Sequence, residues 1–199
     1  MFRRLITMAV AAAMFAVLVP PAHALRVKVR VEGKTTTIFG AAEPTINVAA
    51  HALDALDAAS FRGEFYYHVQ ATSFGPYVDQ IGRYLAEGAN GWSYKVNGVS
   101  ILKSADQATL KDGDTVLWYW TSFTPQGGSP TLLLRRGAKR NCYAALSQDD
   151  LGKTTPATGA TLVVGKRRVP TRAGRACVGR HNGLVRAIAP NAVRSNALS

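Results

Sequence analysis

The side chains able to do chemistry are few and lie far apart in the 199-residue chain. His51, His68 and His181 fall in three different segments, so no pair stands at metal-ligand spacing. There is no nucleophile elbow, His–Glu zinc motif or phosphate-binding glycine loop. Asp112-Gly113-Asp114 holds two carboxylates, but calcium requires six to eight oxygens and the rest of an acidic loop is missing. That run reads as a turn, and Asp149-Asp150 as a solvated acidic pair. Neither catalysis nor a metal centre is expected.

The remaining candidates are aromatic and basic. Stacking surfaces hold flat rings, and the aromatics expected at the surface are Tyr66, Phe74, Tyr77, Tyr119 and Phe123. The loops Ser73–Tyr77 and Glu87–Gly91 would rim such a ligand site. Trp92, Tyr94, Trp118 and Trp120 allow two readings, a packed core against a helix or an aromatic floor. The basic candidates are Arg135-Arg136 and Lys166-Arg167-Arg168, which would attract a polyanion at low salt. Tyr143 is the only aromatic beyond Phe123, so specific nucleic-acid recognition is not expected.

The elements that must position these residues are best marked between Gly91 and Thr121. Trp92, Tyr94 and Val96 alternate with Ser93 and Lys95, as in a half-buried strand. Asn97-Gly98 then supplies the two positive-φ positions of a type I′ hairpin, and Val99–Leu102 returns. Lys111–Asp114 turns the chain into Thr115–Thr121, whose β-branched and aromatic residues suit a central strand.

Upstream, Leu25, Val27, Val29 and Val31 alternate with Arg26, Lys28 and Arg30; Glu32-Gly33 turns, and Thr35–Phe39 returns. Thr45–Ala59 places Val48, Ala52, Leu53, Leu56 and Ala59 on one helical stripe. Phe65–Gln70 and Tyr77–Ile81 read as further strands. One helix across a mixed sheet is a β-grasp arrangement, an α+β architecture.

Residues 122–130 are rich in Pro, Gly and Ser and read as a linker. Beyond it, Thr131–Arg135, Cys142–Leu146, Ala160–Val164, Lys166–Val169, Ala173–Val178 and Leu184–Ala189 suggest a small all-β sandwich over residues 131–190. Residues 191–199 read as a disordered tail.

Charge divides at the same place. Residues 25–125 carry 9 Lys and Arg against 10 Asp and Glu, whereas residues 126–199 carry 13 against 2. This break marks two domains with different surfaces.

Residues 1–24 have the form of a signal peptide: Arg3-Arg4, an apolar run from Leu5 to Leu18, Pro20-Pro21, then Ala22-His23-Ala24. The mature chain is expected to be secreted, extracellular or wall-associated, with no transmembrane segment. In that setting Cys142 and Cys177 read as a disulfide.

The segments GW-x-Y-x-VNG and A-D-Q-x-x-L-K-D-G-D-x-V-x-W-x-W resemble the transcobalamin-like C-terminal domain family across about residues 25–122. The resemblance implies a β-grasp domain of ligand-binding type. Cobalamin enters through it alone, and the vitamin B12 carriers complete their corrinoid site with a helical barrel that this sequence does not contain; no cofactor is expected. Gly159–Gly165 and Pro170–Ala176 resemble the carboxypeptidase regulatory-like, transthyretin-type modules, with Arg172 where those have Asp. The expectation is an exported, non-catalytic binding protein whose first domain takes a small molecule or surface component. The alternative is an adhesive module whose basic domain contacts anionic cell-wall polymer.

Overall fold

A computed structural model describes residues 24–199. The expected signal peptide lies, but for its last residue, outside them. Among the described residues no helix is long and apolar enough to cross a membrane.

The chain is mostly β-structure. Its first unit runs β1 (Leu25–Glu32), β2 (Thr37–Phe39), β3 (Thr45–Val48), α1 (Ala52–Gly63), β4 (Tyr67–Thr72), β5 (Gly75–Ile81), β6 (Tyr84–Leu85), β7 (Asn90–Val96), β8 (Val99–Ser100) and β9 (Thr115–Ser122). The main sheet has the order β2-β1-β9-β7-β8, with β3 also paired to β1. At its centre β1 and β9 run parallel, setting Val31 beside Trp118, while β9 and β7 run antiparallel, setting Trp118 beside Tyr94. Strands β4, β5 and β6 form a separate small sheet. Asn97 and Gly98 have φ of 51° and 83°, the two positive values that a type I′ turn between β7 and β8 demands.

Helix α1 covers one face of the main sheet. Ala52, Ala55, Leu56 and Ala59 are buried against Val27, Val29, Val31, Val116 and Trp118. The small alanines allow close approach, and burying Leu56 contributes roughly 1.5–3 kcal/mol. Asp54 Oδ2 accepts the backbone N–H groups of Ala50 and His51, satisfying donors at the helix start.

The expected helix start at Thr45 is corrected: Thr45–Val48 is a strand, with Ile46 opposite Val27. Its β-branched residues fit the free edge of β1 better than a helix interior. The helix begins only where the alanine- and leucine-rich run does.

The second unit comprises β10 (Thr131–Arg136), β11 (Cys142–Gln148), β12 (Thr154–Pro156), β13 (Thr161–Val164), β14 (Arg167–Pro170), β15 (Arg175–Cys177), β16 (Val185–Ile188) and β17 (Ala197–Leu198). One sheet joins β10, β11, β12 and β15; the other has the order β14-β13-β16-β17. Leu132, Leu134, Tyr143, Ala145, Leu162, Val164 and Val185 form the core between them. Cys142 and Cys177 are paired residues of β11 and β15, and they are disulfide-bonded.

The expectation of a disordered tail at 191–199 is overturned. Ser195 is wholly buried, its Oγ accepting the Ala187 N–H, and Asn196 exchanges hydrogen bonds with the backbone of Leu134. Ala197 N–H donates to Ala41 O of the first unit. The segment supplies polar groups that two sheets and a neighbouring unit would otherwise leave unpaired, which holds it more firmly than its composition suggests.

Candidate binding cleft

The two units meet on the face of the main sheet opposite α1. Leu117 and Tyr119 of β9 are buried there with Val193. Tyr119, expected at the surface, is therefore only 1% exposed, and its assignment as a ligand contact is corrected. The alternation of β9 placed it on the face away from the helix, but that face is covered by the second unit.

Two charge clusters pin this junction. Glu32 is wholly buried and gathers three guanidinium groups: Arg30 Nη1 donates at 3.3 Å, Arg186 Nη2 at 2.6 Å and Arg194 Nε at 2.9 Å. Thr37 Oγ1 also donates to Glu32 Oε2 at 3.0 Å, and Arg30 pairs with Glu43 at 3.1 Å. Arg194 Nη2 donates to Gly33 O at 2.6 Å. Burial lowers the pKa of Arg186, while nearby Glu32 opposes the shift.

At the other end Lys95 is fully buried. Its Nζ donates to Asp149 O at 2.8 Å and Thr131 Oγ1 at 3.2 Å, and lies 3.4 Å from Asp150 Oδ1 and 5.8 Å from the Tyr119 ring centroid. Burial lowers its pKa, against the pull of Asp150. Burial also pushes the Asp150 carboxyl up, but the hydrogen bond from Ser100, with Lys95 close by, outweighs this and leaves it below the usual range.

Beside the Glu32 cluster the units leave a cleft of about 960 Å³. Register builds one wall: Arg168 and Arg186 flank Val163 from the neighbouring strands, and Ile188 lies on β16 nearby. Facing them are Trp120, Asn90, Lys34 and Thr35 of the first unit, and Gly127–Pro130 crosses the base. Thr121 Oγ1 accepts the Ser129 N–H at 2.7 Å and anchors that loop.

Trp120 is half-buried and packs edge-on against Trp92, with ring centroids 5.6 Å apart; the Tyr84 ring lies 6.0 Å from it. Burial raises the Tyr84 phenol, but hydrogen bonds with Thr35, Thr36 and Arg83 overcome this and bring it down to about 7. Lys34, Arg168, Arg186 and Arg194 line the cleft, and no carboxylate does. Arg186 Nε is buried there without a hydrogen-bond partner. With Arg186 and Arg194 already paired to Glu32, the unpaired positive charge of the lining is that of Lys34 and Arg168, and it favours an anion.

The expected aromatic site divides. Tyr77 and Phe123 meet around Gly91, where an added Cβ would lie 2.5 Å from Tyr77 Oη and 3.5 Å from Phe123 Cε2. Phe74 stands exposed at the β4–β5 hairpin tip, and Tyr66 is exposed just before β4. The basic candidates divide too. Arg135, Lys166 and Arg167 are exposed, Arg136 donates to Ser199 O, and Arg168 enters the cleft.

Sequence reasoning missed Glu32, Lys95, Arg186 and Arg194 as junction residues. A lone acid closing a strand of alternating cations was the available signal for Glu32.

Residues 49–122 match a family described as a domain of unknown function (DUF4430), which is transcobalamin-like. No curated protein matches the chain. A crystal structure of a candidate metal binding protein from Ruminococcus gnavus ATCC 29149 is similar at 16% identity and a TM-score of 0.39, over 49% of this chain and 97% of that one. Among the described residues, no three His, Cys, Asp or Glu side chains gather as metal ligands would.

Proposed function

We propose that this is a non-catalytic binding protein that holds a small anionic molecule, bearing a flat or apolar part, in the cleft between its two units. The observation that carries the reading is the lining itself. Four cationic side chains and Trp120 surround about 960 Å³ with no carboxylate among them. Arg186 and Arg194 are already held by Glu32, so the cations left to meet carboxylate or phosphate oxygens are the exposed Lys34 and Arg168, and Trp120 adds apolar area at the border. The arrangement of the first unit, one helix over a sheet with a parallel central pair, supports its reading as a β-grasp domain of ligand-binding type. The disulfide supports export into an oxidising compartment. A corrinoid suits the cleft poorly: four cations and one indole offer little to a broad, largely uncharged macrocycle.

The test is native mass spectrometry of the chain recovered from its own source. A co-purifying anionic mass, lost on denaturation and lost from Trp120→Ala and Arg168→Gln, is the expected result. Retention of that mass by both variants overturns the cleft as its site. A bare polypeptide whose tryptophan fluorescence ignores a panel of small carboxylates and phosphates overturns the reading altogether.

A further inference from the structure

The second unit carries a separate basic surface that the cleft does not use. Its only two acids, Asp149 and Asp150, are both spent near the junction. Asp149 Oδ1 accepts the backbone N–H groups of Leu151 and Lys153, and Asp150 meets Lys95 and Ser100. The far side of the unit carries no acidic side chain.

Register gathers several of them. In the sheet of β10, β11 and β15, Ala144 has Arg135 across from it on one side and Arg175 on the other. The two arginines thus share a sheet face about 10 Å apart, separated only by a methyl group. The same face carries Leu146 and the Cys142–Cys177 disulfide, and Lys139 sits on the adjoining hairpin. Together they line a concavity of about 690 Å³. Arg140 lines an adjoining one of about 390 Å³. Arg135, Lys139, Arg140 and Arg175 are exposed, and among the described residues none is ion-paired.

We infer that this disulfide-floored face docks a linear polyanion, recognised by its repeated charge. A curved strip with cations on both sides of an apolar floor suits a chain laid along it, and a flat bilayer fits it poorly. Base stacking is unsupported, because Tyr143, the unit's one aromatic, is buried. Arg136 lines both concavities but is tied down by Ser199 O, whereas Arg168, grouped with these residues by sequence, lines the cleft instead.

The experiment measures binding of the whole chain to medium-chain inorganic polyphosphate against salt, with single-stranded DNA and anionic vesicles as competitors. Four phosphate contacts give a log–log salt slope of about −2.8 to −3.6, or roughly a 50- to 150-fold loss over a fourfold rise in salt. Arg135→Gln with Arg175→Gln should flatten the slope by about 1.4 to 1.8. Lys166→Gln with Arg167→Gln, a pair at the β13–β14 turn of the other sheet with the same charge change, should leave it nearly unchanged. Equal effects from the two pairs would reduce the interaction to net charge and overturn the proposal. So would tighter binding to DNA or vesicles than to polyphosphate, or no binding at low salt. Circular dichroism and reaction with a thiol reagent confirm that both variants are folded and disulfide-bonded.

Discussion

Changing Glu32 to Gln keeps the shape of the side chain and removes the charge around which three arginines converge. The amide can accept at one oxygen only, and its NH₂ group would face guanidinium donors. Arg30 keeps Glu43 as a partner, but Arg186 and Arg194 lose their only carboxylate among the described residues. Breaking a buried ion pair from one side costs about 3–5 kcal/mol. The Arg186 and Arg194 side chains are 18% exposed, so water offsets part of the loss and the lower half of the range applies. The expected destabilisation is about 3–4 kcal/mol, or roughly 6–16 °C in Tm for a chain of this length.

All three tryptophans lie in the first unit, so their fluorescence follows that unit while far-ultraviolet circular dichroism follows both. In urea the two signals should coincide for the wild type and separate for Glu32→Gln, because the substitution strikes the junction. Glu43→Gln is the control. It leaves Glu32 against Arg30 and should cost about 1 kcal/mol. A loss below about 1 kcal/mol in Glu32→Gln, or an equal loss in the control, would refute the claim that a desolvated carboxylate holds the units together.

Lys95→Met should cost about 1–3 kcal/mol by leaving the Asp149 carbonyl and Thr131 hydroxyl without their buried donor, measured by the same urea titration. Cys142→Ala with Cys177→Ala frees a chain segment whose ends are 35 residues apart and should lower stability by roughly 3–4 kcal/mol, read by calorimetry. Burial raises Tyr94, and burial with the Asp57 hydrogen bond raises Tyr67, each to about 12. These phenols stabilise the fold fully below the unfolded value of 10.0, and that contribution disappears as pH rises through about 12. Stability should therefore fall between those limits, and Tyr67→Phe or Tyr94→Phe should reduce the fall in alkaline unfolding curves.

Alternation made the central strands legible. Val27 and Val29 share the side that alternation gives them, and of the two readings open for Trp92, Tyr94 and Trp118 the packed core against the helix is the one observed. The same rule assigned Arg30, Lys95 and Tyr119 to the other face correctly but took that face for solvent. Whether a second unit covers a sheet depends on contacts between residues more than 150 positions apart, which no local pattern encodes. The Thr45–Val48 segment was misread because its apolar residues fit the helical stripe that follows as well as the two-residue period of a strand. The aromatic candidates were chosen for exposure, and that selected hairpin tips and strand ends. The residues that line the cleft come from both units and became neighbours only through register and docking.

The segment Arg194–Ala197 also sets an order of events in the life of the chain. Glu32 is synthesised 162 residues before Arg194 and 154 before Arg186, so it lacks two of its three guanidinium partners until the last strands are made. The junction can be sealed only after the second unit has reached its final strand. A nascent molecule therefore exposes an incomplete seam until the segment Arg194–Ala197 has been made.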